Sequence, residues 1–146
     1  MEVSDVQAGG FSISMVSDIS IIRGTVSRVL GFIKSRVNLK EEMEYDIKLI
    51  LNELLLNAVI HGNRYCRDKR VDIKLDILKN GKMMLAVNDQ GEGFSYPSYQ
   101  HRRPILDPEQ EGGRGLNIIQ ALSDEVRYNK KGNRVTVIKT LEDKRA

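Results

Sequence analysis

The sequence predicts an α+β fold, a two-layer α/β sandwich whose mixed, mainly antiparallel sheet is covered on one face by helices. Three observations carry this. Hydrophobic spacing switches between the period of two that suits strands and the three/four spacing that suits helices, in the order β-α-α-β-β-loop-α-β-β. Two tight-turn signals, Asn80-Gly81 and Gly132-Asn133, each join strand-like runs and so require antiparallel neighbours. With 146 residues, 40% of them hydrophobic, the chain is sized for one domain with a real core. The hairpins exclude a doubly wound parallel sheet, whose strands need long crossovers.

Each element follows from local spacing. Phe11-Ser12-Ile13-Ser14-Met15 alternates apolar and polar residues, as a strand does. Ser17 and Asp18 are good helix caps, and the helix behind them carries Ile22, Val26, Val29, Leu30, Ile33 and Val37 on one face. A second helix is expected from about Lys40 to His61, with Ile47, Ile50, Leu51, Leu54, Leu55, Ala58 and Val59 as its apolar arc and Gly62-Asn63 as terminators. Val71 to Ile77 alternates cleanly, and Asn80-Gly81 turns it into a strand from Met83 to Val87. Five of the 12 glycines and all three prolines then fall between Gly91 and Gly115, which marks a long functional loop. Gly115 to Leu122 reads as a helix, and Val126 to Tyr128 with Val135 to Leu141 as a final hairpin. Residues 1–10 read as a loose leader, 11–141 as the domain and 142–146 as a charged tail.

Composition narrows the function classes. The charge sum is 23 basic against 20 acidic residues, or +3, with the signs mixed along the chain, so no dense patch points to nucleic acid. No apolar run approaches the roughly 18 residues of a membrane span. The acidic start Met1-Glu2-Val3-Ser4-Asp5 lacks the order of a signal peptide. The single cysteine, Cys66, makes no internal disulfide and reads as inert, in keeping with a cytoplasmic, reducing compartment. No Trp and 5% aromatics argue against a base-stacking platform.

Three polar clusters carry chemistry. Glu53, Asn57 and His61 are spaced by four and form one stripe bordering the apolar arc of the second helix. A carboxylate and an amide there can line a pocket mouth, or simply face water; His61 reads as a structural helix-end residue. Asp89-Gln90-Gly91-Glu92-Gly93 ends a strand with a carboxylate that can accept from an exocyclic amine, followed by glycines that let a ligand approach the backbone. The same pattern also suits a glycine-rich turn. Glu111-Gly112-Gly113-Arg114-Gly115-Leu116 opens a helix, where bare amides suit phosphate oxygens and Arg114 adds a charge. A loop ending at a helix start is the alternative. The glycines fit neither the Walker nor the Rossmann spacing.

Together, in this order, the clusters resemble those of the GHKL (Bergerat-fold) ATPases. Glu53 and Asn57 match the N box, Asp89-x-Gly91-x-Gly93 the first glycine box, and Gly113-Arg114-Gly115-Leu116 the second. Over roughly Phe11 to Leu141 the chain is most similar to the small stand-alone anti-sigma-factor serine/threonine kinases of bacteria, through Asn-Ala-x-x-His-Gly-Asn (Asn57 to Asn63) and Gly-Gly-Arg-Gly-Leu. The resemblance implies ATP and Mg²⁺ as cofactors. By it, Asn57 holds the metal, Asp89 reads the adenine amine, and Gly91 and Gly93 shape the purine floor. Gly113, Arg114, Gly115 and the amide of Leu116 meet phosphates, Glu53 is the general base, and the segment 95–110 is the ATP lid. Family members often place Thr after the glycine of the final hairpin; here Gly132 is followed by Asn133, which would substitute as a polar contact beside adenine, with Thr136 too far along the strand to do so. The implied partners are a sigma factor and an anti-anti-sigma STAS-domain protein, with a homodimer and neither nucleic acid nor membrane.

Two further function classes stand beside the kinase. A nucleotide-gated binding module without phosphotransfer uses the same glycine boxes. A histidine-kinase catalytic domain needs an upstream phosphoacceptor histidine, and no His precedes Glu53. A nucleotide site fills most of the length, so output is expected to come from a docking partner rather than a fused domain.

Overall fold

The structure is a computed structural model that describes residues 10–92 and 111–141, without the side chains of 111–114. Gly93, the lid segment 95–110, nearly all of the leader and the tail lie outside the described residues. The elements run β1 (Gly10–Val16), α1 (Ile19–Arg36), α2 (Glu41–Asn57), a π-helical turn (Ala58–Gly62), β2 (Arg70–Ile77), β3 (Lys82–Asn88), α3 (Glu111–Leu122), β4 (Glu125–Tyr128) and β5 (Arg134–Thr140). The five strands form one sheet in the order β1-β2-β3-β5-β4. Every described pairing is antiparallel.

Alternation decides which face of the sheet is covered. Val71, Ile73 and Leu75 of β2, Met83, Leu85 and Val87 of β3, and Val137 of β5 are buried on the helix side. Asp72, Lys74 and Arg134 lie exposed between them. The helices meet that face with Ile22, Val29 and Ile33 of α1, Ile47, Ile50, Leu51, Leu54 and Leu55 of α2, and Ile119 of α3. Both hairpin turns carry a glycine in the left-handed region, Gly81 at φ 84° and Gly132 at φ 84°, as tight hairpins demand.

The helix ends show what positions them. Asp18 accepts from the Ser20 N–H at 3.0 Å and caps α1. Those bonds to Ser20, with Arg67 nearby, hold its carboxyl below the usual range. Ser17, the other cap expected from the sequence, is instead buried and accepts from Asn63 Nδ2 at 3.0 Å. No side chain caps α2, whose first turn carries Glu41, Glu42 and Glu44 against the positive end of the helix. Lys139 of β5 is buried and donates to the Leu122 carbonyl at 2.5 Å, a cation on the negative end of α3.

Two expected boundaries move. The second helix does not run to His61 as a regular α-helix; it widens after Asn57 into the π-helical turn, where Asn63 N–H bonds to Ala58 O at 2.8 Å. The wider turn takes up an extra residue, so His61 no longer continues the four-residue stripe of Glu53 and Asn57. The third helix begins at Glu111 rather than Gly115, because its glycines continue the helical path instead of preceding it.

Leu55→Ala removes a side chain with no solvent exposure from the middle of the helix layer. It should cost about 2–5 kcal/mol in urea unfolding. An unchanged midpoint and slope would contradict the placement of α2.

Candidate active site

Glu53 and Asn57 stand one turn apart on α2 and are half-buried. α3 crosses them at Gly115. A Cβ on Gly115 would lie 2.5 Å from Glu53 Oε1 and 3.8 Å from Asn57 Nδ2, so the helix lies directly on both side chains. A side chain at this position would force the Glu53 carboxylate to move. Leu116 and Ile119 fix the helix there by burying themselves against the core side.

The second cluster closes the other end of the same cleft. Asp89 continues β3 past its last strand residue, donating its N–H to Asn133 O at 2.9 Å. Its carboxylate turns inward and accepts the Gly91 N–H on Oδ1 at 2.8 Å. Gly62 lies against that carboxylate, and a Cβ on Gly62 would sit 2.8 Å from Asp89 Oδ1. A Cβ on Gly91 would strike the Gly62 carbonyl. Burial pushes the Asp89 carboxyl up; the Gly91 N–H, Lys69 and Lys131 pull it partly back. Tyr128 lines the cleft and burial pushes its phenol up to about 12, which keeps it a neutral O–H.

The cleft between these ends is lined by Asn57, Asp89, Leu116, Tyr128, Asn133 and neighbouring apolar residues, with about 320 Å³ of free space including its open mouth. Apolar walls with a few convergent polar groups are what a small-molecule site requires.

The structure thus brings together most of the residues singled out in the sequence. Asn57, Asp89, Leu116 and Asn133 line one cleft, Glu53 and Gly115 touch at its edge, and Gly91 supports Asp89 from behind. The free amides of an α-helix are its first four. Within α3 these are the amides of residues 111–113, so Gly113 is among them while Gly115 and Leu116 follow them. Gly93 and the side chain of Arg114 lie outside the described residues. The Asn133 side chain faces inward to the protein as well as lining the cleft: Nδ2 donates to Asp89 O at 3.3 Å and Oδ1 accepts from Asn129 at 2.8 Å. Cys66 is a half-buried free thiol.

Sequence reasoning missed Gly62, Asn63 and Tyr128. Gly62 and Asn63 were visible as helix terminators and as part of the Asn57–Asn63 motif, but not as supports of the Asp89 turn, because their partners, Asp89 and Gln90, are distant in sequence. Tyr128 gave no signal beyond strand propensity.

A metal fits only one way here. Among the described residues no group of three His, Cys, Asp or Glu side chains could hold an ion. Asn57 lines the cleft one turn from the Glu53 carboxylate, and its amide carries an oxygen that can ligate a hard cation. That donor set suits Mg²⁺, which takes oxygen ligands and draws most of them from phosphates and water.

Comparison with known proteins agrees with this geometry. Residues 18–139 match the family described as histidine kinase-like ATPase domain. The serine-protein kinase RsbW of Staphylococcus epidermidis is 30% identical over 132 residues, 85% of this chain and 80% of that protein. RsbW of Bacillus subtilis is 29% identical over 129 residues, 84% of this chain and 80% of that protein. Among solved structures, the RsbU and RsbW domains of Rv1364c from Mycobacterium tuberculosis superpose with a TM-score of 0.60 at 19% identity, over 90% of this chain and 32% of that longer one. The blue-light-activated histidine kinase of Erythrobacter litoralis gives 0.55 at 20% identity, over 82% of this chain and 40% of that one. No helix among the described residues is long and apolar enough to cross a membrane. The match to the family across 18–139, on a fold that gathers the three polar clusters into one cleft, makes this chain a member of the histidine kinase-like ATPase domain family, related to the RsbW serine-protein kinases.

Proposed function

We propose that the chain is an ATP-dependent serine/threonine protein kinase that acts as an anti-sigma factor, sequestering a sigma factor and phosphorylating an anti-anti-sigma partner of STAS type. The observation that carries this is the seating of the Glu53 carboxylate and the Asn57 amide together under Gly115, at the end of the cleft opposite Asp89. A pure binding module has no use for a carboxylate beside the phosphate end. The RsbW relatives, named as serine-protein kinases, support the same reading. A homodimer and a cytoplasmic location belong to it.

The chemistry follows from the placement. Asp89 accepts from the adenine amine, and the triphosphate extends toward the first turn of α3, whose amides suit anionic oxygens. Asn57 would hold Mg²⁺, which supplies charge neutralisation on the phosphates when bound. Glu53 takes the proton of a serine or threonine hydroxyl of the partner. The hydroxyl oxygen bonds to the γ-phosphorus as its bond to the β–γ bridging oxygen breaks, leaving ADP and a phosphoester. Positioning and fixed dipoles supply most of the rate, since phosphoryl transfer asks little covalent chemistry of the protein.

Glu53→Gln keeps the shape and removes the base. Phosphotransfer to the partner should fall by about 100-fold or more, with ATP affinity retained. Equal transfer by the variant would overturn the assignment. Sequestration of a sigma factor with no phosphorylation of any partner by the unaltered chain would favour a nucleotide-gated binding module instead.

Asp89 gives a second test, with opposite signs for binding and stability. Only the ionised carboxylate accepts from the amine, and burial makes it take up a proton above its ordinary 3.8. ATP affinity should therefore fall as pH drops through that raised value, and Asp89→Asn should bind ATP weakly at every pH. The charged form is the one burial penalises, so this group lowers stability at neutral pH, and the cost is relieved as pH falls through the raised pKa. Asp89→Asn should consequently melt no lower than the unaltered chain in neutral buffer. Titration calorimetry and a melting curve check both; normal ATP binding with a lowered Tm would contradict the assignment.

A further inference from the structure

Asn63 is built into the fold more thoroughly than a helix terminator needs to be. It has no solvent exposure. Its Oδ1 accepts the Gln90 N–H at 2.8 Å, and its Nδ2 donates to Ser17 Oγ at 3.0 Å and to Arg70 O at 3.0 Å. Its backbone is tied as well, N–H to Ala58 O at 2.8 Å and carbonyl to the Cys66 N–H at 3.0 Å. One buried amide thus joins the end of β1, the start of β2, the π-helical turn and the residue after Asp89. A glycine would end the helix without any of this. Burying an amide is costly unless its polar atoms are paired, and here both ends of the side chain are.

Asn133 does the matching work on the other side. Its carbonyl accepts the Asp89 N–H at 2.9 Å and its Nδ2 donates to the Asp89 carbonyl at 3.3 Å. Asn129 holds Asn133 in turn, through Oδ1 at 2.8 Å, while its own Oδ1 accepts from Gly132 N–H at 2.8 Å and Arg134 N–H at 3.0 Å. Asp89 therefore has its own peptide groups pinned by Asn133, the next N–H pinned by Asn63, and Oδ1 committed to Gly91 N–H. Among the described residues, Oδ2 receives no hydrogen bond from the protein.

We infer that Asn63 and Asn133 are positioning residues that set base selectivity, clamping the Asp89 turn from both sides so that its carboxylate meets the exocyclic amine of a purine. The inference rests on the ATP-binding reading of the site. A purine with an amine at that position offers a donor; one with a carbonyl there presents an acceptor, which the ionised carboxylate repels. Hydrogen-bond strength falls steeply with misalignment, so discrimination depends on what holds Asp89 as much as on Asp89. Asn133 then acts through Asp89 rather than as a direct substitute for a threonine beside adenine.

The test compares ATP with purine riboside triphosphate, which lacks the exocyclic amine, by titration calorimetry. It uses the full chain, Asn63→Ala, Asn133→Ala, Asp89→Asn and the two doubles with Asp89→Asn. The full chain should prefer ATP by about tenfold or more. Each asparagine variant should lose most of that preference by weakening ATP alone, and should add nothing to the loss caused by Asp89→Asn, as coupled residues do. Equal weakening of both nucleotides, or losses that add to that of Asp89→Asn, would overturn the inference and leave the asparagines purely structural. If Asn63→Ala does not fold, Asn133→Ala, at a half-exposed side chain, decides the matter by the same comparison. Binding of neither nucleotide by the full chain would overturn the ATP reading itself, which separates that failure from a failure of the clamp.

Discussion

The site depends on backbone segments coming closer than any side chain would allow. At one end of the cleft Gly91 rests on the Gly62 carbonyl and both enclose the Asp89 carboxylate; at the other, Gly115 rests on Glu53 and Asn57. These contacts set the position of the two chemical ends. A methyl group at Gly91 would meet the Gly62 backbone first and the Asp89 carboxylate next, and that backbone cannot yield without moving the π-helical turn. At Gly115 the obstacle is a carboxylate at the end of a side chain, so the crossing there is easier to adjust. The Asp89 end is therefore the rigid one, and the Gly115 end is the one where α3 has latitude.

This division matches how the polar groups are supported. Asp89 sits in a net of hydrogen bonds reaching β1, β2 and β5. Buried networks of this kind rigidify a site only when every member is satisfied; Asn63 meets that condition. α3 is held differently, by the apolar anchors Leu116 and Ile119 and by Lys139 at its last carbonyls. Apolar packing fixes depth more than rotation, so the start of α3 keeps rotational latitude.

The element order, the two hairpins and the apolar faces of α1 and α2 were legible in the sequence because each rests on local periodicity or on turn residues, whereas the order of strands across the sheet was not. Asn80-Gly81 and Gly132-Asn133 carry their meaning within two residues. The clusters around Glu53, Asp89 and Gly115 were legible as chemistry, and their order suggested a single site, yet nothing local said that Gly62 would touch Asp89 or that Asn63 would hold Gln90. Those pairings join residues 27 apart or more in the chain. The π-helical turn was hidden for a related reason: Ala58 to Gly62 has ordinary helical spacing, and its packing against Gly91 and Asp89 is distant in sequence. The early start of α3 was hidden because glycines there read as loop.

If one cleft reads a purine at Asp89 and presents the terminal phosphate to Glu53, a bound nucleotide must span both. A crystal structure of the chain with a non-hydrolysable ATP analogue and Mg²⁺ tests it most directly. The account predicts the exocyclic amine within hydrogen-bond reach of Asp89, Asn57 on the metal and the γ-phosphate beside Glu53. A nucleotide bound outside this cleft, or one lying in it with the γ-phosphate remote from Glu53, would contradict it.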